Sequence, residues 1–197
     1  MEKQCRRGFP RFVLAALLAA STAGVALAVE PAEDAAGAES LAYAELPNFH
    51  RVDDNLFRGG QPGADGVGRL KELGIKTIVN LRYERDLVDA EAAEAEAAGI
   101  RYYNVPMVGL NRPTDAQVAH ILALIDDPAN RPVFVHCKAG SDRTGAVVAC
   151  YRIARAQWTA ERAIKECFRY GMMRIEYAKR AFIRSFYAKL QGTPSGV

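Results

Sequence analysis

This chain has no internal repeat, no excess of charge and too few cysteines for a disulfide framework. Its 26 basic residues face 23 acidic ones. Lys3, Arg6, Arg7 and Arg11, against Glu2, all fall in the first 28 positions, so the rest of the chain carries 22 of each sign. A neutral domain lacks the basic footprint that nucleic-acid binding requires. Of four cysteines, Cys5 precedes the first apolar run, leaving Cys137, Cys150 and Cys167, an odd number. Cys150 and Cys167 sit among apolar neighbours in helix-like runs and read as buried free thiols, with a Cys150–Cys167 disulfide as the alternative. The apolar stretch Phe12–Ala28, diluted by Ala, Ser, Thr and Gly, is at the short edge for a membrane-spanning helix.

What is present begins with that stretch. Basic residues, an apolar run and Ala26-Leu27-Ala28 follow the order of a cleavable signal peptide over residues 1–28. The expectation is an exported protein, periplasmic or secreted, with no stable membrane insertion after cleavage; an N-terminal membrane anchor is the alternative. Residues 29–45, rich in Ala, Glu and Pro, read as a flexible linker, residues 46–190 as one domain and residues 191–197 as a tail.

Within the domain, short β-rich runs alternate with helical ones. Strands are predicted at Leu56–Arg58, Lys76–Leu81, Ile100–Val105 and Val133–His136. Helices are predicted over Asp65–Leu73, Leu87–Ala98, Thr114–Ile125, Gly145–Ala156, Thr159–Tyr170 and Arg174–Leu190, with Glu91 and Glu94 on a solvated face. Alternation followed by several helices implies an α/β domain, a central sheet of about four or five strands flanked by helices.

The chemistry concentrates in His136-Cys137-Lys138-Ala139-Gly140-Ser141-Asp142-Arg143-Thr144-Gly145. The string lies between the strand Val133–His136 and a helix, so its amides and the helix dipole converge on one anion. Cys137 must be a thiolate to attack phosphorus. The amides of Lys138, Ala139, Gly140, Ser141, Asp142 and Arg143 line the cradle, and the planar fork of Arg143 grips two phosphate oxygens. Gly140 and Gly145 supply positive φ or close approach. Thr144 is placed to turn its hydroxyl toward the sulfur, His136 to shape the loop through backbone bonds, and Lys138 to add positive charge at the rim.

His-Cys-x5-Arg-Thr-Gly resembles the signature loop of the cysteine-dependent protein tyrosine and dual-specificity phosphatases. Leu56-Phe57-Arg58-Gly59-Gly60-Gln61-Pro62 is similar to the opening motif of the compact atypical members, and Thr77-Ile78-Val79-Asn80-Leu81-Arg82 to their strand ending in Leu-Arg. The resemblance covers residues 46–190. It implies a single-domain fold of that family and hydrolysis of phosphate monoesters through a cysteinyl-phosphate, with Cys137 as nucleophile, Arg143 holding phosphate and neither cofactor nor metal. A phosphorylated protein or a small phosphorylated molecule would be the partner.

The general acid departs from the family pattern. Asn111 stands where many relatives carry an acidic residue, and an amide cannot donate a catalytic proton. Asp142 inside the loop is the provisional acid. Asp115 is the alternative, although Thr114-Asp115-Ala116-Gln117 also fits a helix-capping box. Two rival functions stay open here: an inositol polyphosphate or phosphoinositide phosphatase, and a phosphate-binding module without turnover. A rhodanese-type sulfur transferase also places cysteine in an anion loop, but lacks the Arg-Thr-Gly ending and the Gln-Pro opening.

Overall fold

The computed structural model describes residues 43–192. The expected signal peptide, residues 29–42 of the expected linker and residues 193–197 of the tail lie outside the described residues. Inside them the packed domain starts earlier than residue 46. The Tyr43 ring packs edge-on against Phe49, and Glu45 accepts from Arg69 Nε at 2.7 Å.

Five strands form one sheet in the order β1-β2-β5-β3-β4, where β1 is His50–Arg51, β2 Leu56–Gly59, β3 Thr77–Asn80, β4 Arg101–Asn104 and β5 Val133–His136. Only the β1–β2 pair is antiparallel. The two-residue β1 gives almost no sequence signal; it pairs because Val52 and Asp53 fold back onto the Leu56 carbonyl. The fully buried Val-Phe-Val-His run makes β5 the centre of the sheet.

Side-chain alternation along β5 separates the two faces. Phe134 joins Leu70, Ile78, Ala95 and Ile100 under α1 (Gly66–Glu72) and α2 (Arg85–Ala98). Val133 and Val135 join Val118, Ile121, Ile125 and Val147 under α3 (Asp115–Asp126) and α4 (Asp142–Ala156). A further apolar cluster seals α4 against α5 (Ala160–Arg169) and α6 (Tyr177–Leu190). The domain is the expected α/β architecture.

Two helix boundaries move from the sequence reading in ways that matter. Helix α4 opens at Asp142 rather than Gly145, so the last four residues of the signature string are already its first turn. Helix α6 opens at Tyr177 rather than Arg174, which leaves residues 170–176 as a loop beside the site. Helix α3 keeps its reading: Thr114 is the N-cap, and Thr114 and Gln117 form the reciprocal capping box with Asp115 in the first turn. Cys137, Cys150 and Cys167 are all free and buried, so the alternative Cys150–Cys167 disulfide is not formed. No helix among the described residues is long and apolar enough to cross a membrane.

Candidate active site

Cys137 ends the central strand with only 2% of its surface exposed, and α4 begins five residues later. Among the described residues, the N–H groups of Lys138, Ala139, Gly140 and Ser141 make no backbone hydrogen bond. Those of Asp142 and Arg143 open the helix, where no earlier turn exists to accept them. Ser141, at the N-cap, makes no side-chain capping bond. A helix N-terminus left uncapped next to a run of free amides suits a tetrahedral anion.

The carbonyls of the same loop are held from outside. Lys138 O accepts from Gln61 N at 3.1 Å, Ala139 O from Asn48 Nδ2 at 3.1 Å, and Gly140 O from Arg58 Nη2 at 2.8 Å. Three successive carbonyls are thus tied to neighbouring segments, which fixes the peptide planes and with them the directions of the amides. Contact is close enough that a Cβ on Gly140, at φ +74°, would lie 2.4 Å from the Gly59 carbonyl carbon and 2.6 Å from Gly60 N. Only glycine allows that approach. The Phe-Arg-Gly-Gly-Gln-Pro segment therefore has a physical role as the outer clamp of the signature loop. Sequence reasoning noted this motif without a role for Arg58.

Arg58 is 1% exposed, and its guanidinium lies 4.3 Å over the Tyr170 ring. Its Nε and Nη1 have no protein partner. Burial draws its pKa below the usual guanidinium range, against upward pulls from Cys167, Glu166, Tyr170 and Cys137. The cation thus sits behind the loop, within electrostatic reach of the nucleophile.

His136 bonds backbone as expected, its Nδ1 lying 3.3 Å from Cys137 O. Its other nitrogen lies 3.1 Å from Glu91 Oε1, with both side chains buried. Glu91 is thus not on a solvated face. It accepts from Asn80 Nδ2 at 2.6 Å and from the Tyr102 hydroxyl at 3.0 Å. Burial raises the Glu91 pKa, but the bonds from His136, Tyr102 and Gln61 outweigh it and the net shift is downward. Spacing held the signal: Val88, Glu91 and Ala95 are the buried residues of α2, three and four apart on one face. Arg82 ties the two supporting motifs together, donating from Nη1 to Gln61 Oε1 at 3.2 Å while its Nε and Nη2 pair with Glu84.

Arg143, in the first turn of α4, donates from Nη1 to Met107 O at 3.2 Å and Leu81 O at 3.4 Å. These bonds fix one arm of the fork to the loops after β3 and β4; Nε and Nη2 carry the remaining donors. Thr144 Oγ1 is buried and has no protein partner, so the expected bond to the Cys137 sulfur is not made here. Lys138 is exposed at the rim.

The two candidate acids part company. Asp142 stays with the loop: its Oδ1 accepts from Met173 N at 2.9 Å and its Oδ2 lies 3.4 Å from Ser141 Oγ. Asp115 is exposed, and its carboxylate pairs with Lys189 of α6 at 2.7 Å. Asn111 is exposed in the loop after β4. That loop is anchored through Gly109 O, which accepts from the fully buried Lys179 at 2.9 Å; Lys179 also pairs with buried Glu176 at 2.6 Å. Cys150 and Cys167 are chemically quiet. Burial pushes both thiols up, Cys167 to about 12.

A buried sulfur at the foot of free amides, with Arg143 in the first turn of the helix that follows, suits the encounter of a thiolate with phosphorus. The fold and site define a cysteine-dependent phosphatase. A family profile described as "DSP-PTPase phosphatase fused to NAD+ Kinase" matches residues 42–185, and the chain belongs to this family. It is 32% identical over 163 residues to the dual specificity protein phosphatase TpbA of Pseudomonas aeruginosa, spanning 82% of this chain and 72% of that one. It is 28% identical over 154 residues to the inositol diphosphatase DSP4 of Arabidopsis thaliana, 75% of this chain and 76% of the relative. A structure of P. aeruginosa TpbA in complex with pTyr superposes with a TM-score of 0.56 at 29% identity, covering 72% of this chain and 90% of that one. The chain is a phosphatase enzyme.

Proposed function

We propose that the chain dephosphorylates phosphotyrosine in protein substrates through a cysteinyl-phosphate. The observation that carries this reading is the run of free amides from Lys138 to the first turn of α4, beginning at Cys137 and including Arg143. The pTyr complex of a relative supports the choice of substrate. The Cys137 thiolate attacks phosphorus, and the bond from phosphorus to the leaving oxygen breaks. The amides and the Arg143 fork take up the charge on the equatorial oxygens. Asp142 gives its proton to the leaving oxygen. Water then attacks phosphorus, Asp142 recovers a proton from it, and the P–S bond breaks to return thiolate and inorganic phosphate. Asp115, bonded to Lys189, serves the start of α3.

One observation favours a second reading. Asn111 cannot protonate a leaving group, and the Asp142 carboxylate already accepts an N–H. A phosphoanhydride, whose leaving group needs no proton, suits such a site; the inositol diphosphatase relative is consistent with it.

The test is a panel of phosphotyrosine peptide, phosphoserine peptide and inositol pyrophosphate, assayed with chelator present. The proposal expects the phosphotyrosine peptide to be turned over fastest, complete loss in Cys137→Ser, and a far larger loss in Asp142→Asn for poor leaving groups than for good ones. Faster turnover of the pyrophosphate, or equal losses across leaving groups, would overturn the substrate and the acid respectively. The order of basic, apolar and Ala-x-Ala residues at positions 1–28 supports export to the periplasm or medium. Cell fractionation that found the uncleaved chain in the cytoplasm would refute export.

A further inference from the structure

Nine large apolar side chains are exposed among the described residues, and they are not scattered. Six of them, Tyr83, Val108, Leu110, Met173, Ile175 and Tyr177, lie on three segments: the loop after β3, the loop after β4, and the α5–α6 loop with the first residue of α6. Each is at least half exposed. Scattered surface apolar residues need no explanation, but a cluster at the mouth of a site marks a binding surface.

The three segments are fastened to the signature loop and to each other. Arg143 Nη1 bonds the carbonyls of Leu81 and Met107, just before Tyr83 and Val108, and its guanidinium lies 6.0 Å from the Tyr83 ring centroid. Met173 N donates to Asp142. Lys179 Nζ joins α6 to the loop after β4 at Gly109 O. The apolar residues therefore form a collar around the cradle that receives the phosphate. A polypeptide that presents its phosphate to the loop of amides has its neighbouring residues beside the collar, whereas a small phosphate ester has none to place there.

We propose that the collar selects polypeptide substrates in which the residues flanking the phosphorylated one are apolar. This rests on the phosphoprotein reading above and names the class of sequence recognised. Charge favours a polypeptide over an anionic membrane surface. Around the collar, Arg85, Arg112 and Arg174 are separate from one another in the chain and Arg85 stands between Glu84 and Asp86, whereas lipid headgroup binding calls for several basic residues in an uninterrupted cluster. The collar also disfavours an inositol polyphosphate, which would set a densely anionic ring against Val108, Leu110 and Ile175.

The experiment compares phosphotyrosine peptides flanked by Leu, Ile or Val with peptides flanked by Asp or Ser. A small aryl phosphate and a phosphoinositide in anionic vesicles complete the set, assayed with wild type and with Leu110→Ser/Ile175→Ser. Wild type should favour the apolar-flanked peptide by about tenfold or more in kcat/KM, the scale of one apolar side chain buried on binding. In the double variant, kcat/KM for that peptide should fall about tenfold further than for the aryl phosphate. A second pair, Val108→Ser/Met173→Ser, gives the same comparison if the first fails to fold. Turnover of phosphopeptides without regard to their flanks would overturn this inference alone, as would a loss confined to the vesicle substrate. Failure to turn over any phosphopeptide while inositol pyrophosphate is hydrolysed would overturn the phosphoprotein reading, and this inference with it.

Discussion

Replacing Arg58 with methionine separates what the buried guanidinium does for the fold from what it does for the reaction. In stability, two effects oppose. The substitution strands Gly140 O, which accepts the 2.8 Å bond from Nη2. Yet it removes a cation that is 1% exposed and whose Nε and Nη1 lack protein partners. Leaving one acceptor unpaired costs about 1–3 kcal/mol, and relieving a buried charge returns a similar amount, so the net change should stay within about 2 kcal/mol. In catalysis nothing opposes. The Gly140 peptide loses its outer anchor and the thiolate of Cys137 loses a cation behind it. A charge-assisted hydrogen bond is worth about 1.5–3 kcal/mol. If that is expressed in the transition state, kcat/KM falls roughly 10- to 150-fold. The assay is kcat/KM on an aryl phosphate, with iodoacetamide alkylation of Cys137 at fixed pH and urea unfolding in parallel. Alkylation should slow together with turnover. Arg58→Lys should recover part of the alkylation rate, since the charge returns without the planar fork. Activity within twofold of wild type, or an activity loss matched by an equal stability loss, would refute the reasoning.

Gly140→Ala should collapse the site, with kcat/KM down at least a hundredfold and a lowered Tm, because its Cβ would meet the Gly59 backbone at 2.4 Å. Gly74→Ala, also at positive φ (+80°) but in open space, should cost only about 1–2 kcal/mol in urea unfolding and leave turnover intact. Glu91→Ala should destabilise the domain by about 1–3 kcal/mol, as it takes from the Tyr102 hydroxyl its acceptor, from Asn80 one of two, and from His136 its carboxylate neighbour; denaturant unfolding measures it. The hydrogen bond from Arg82 holds the Glu84 carboxyl down to about 2. Its contribution is therefore full above the ordinary carboxylate range and is lost as pH falls toward 2. Unfolding free energy measured from pH 5 to 2 should decline less steeply in Glu84→Gln than in wild type, and an unchanged slope would contradict the assignment.

The signature loop was legible because its chemistry is local. A β-branched strand, a Cys, small residues and an Arg at a helix start lie within ten consecutive positions. The start of α3 was legible for the same reason, Thr114 and Gln117 capping each other across one turn. Arg58, Asn48 and Glu91 were not, because their roles depend on which segments meet. Gly59 pairs with His136 across the sheet, and that pairing brings Arg58 to Gly140. Asn48 reaches Ala139 across 91 positions. Glu91 reads as a solvent residue by type, and only its place between Val88 and Ala95 on the buried stripe of α2 marks it as interior. Strand β1 escaped because two residues show no period.

The buried Lys179–Glu176 pair has a consequence that reaches beyond its own helix. Because Lys179 grips Gly109, the last helix and the loop bearing Asn111 cannot drift apart without leaving a buried ammonium short of one of its two acceptors. Two walls of the mouth thus behave as one hinged piece. A change in α6 that touches no substrate, such as repacking Phe182 or Ile183, would be felt first as a change in which substrates fit.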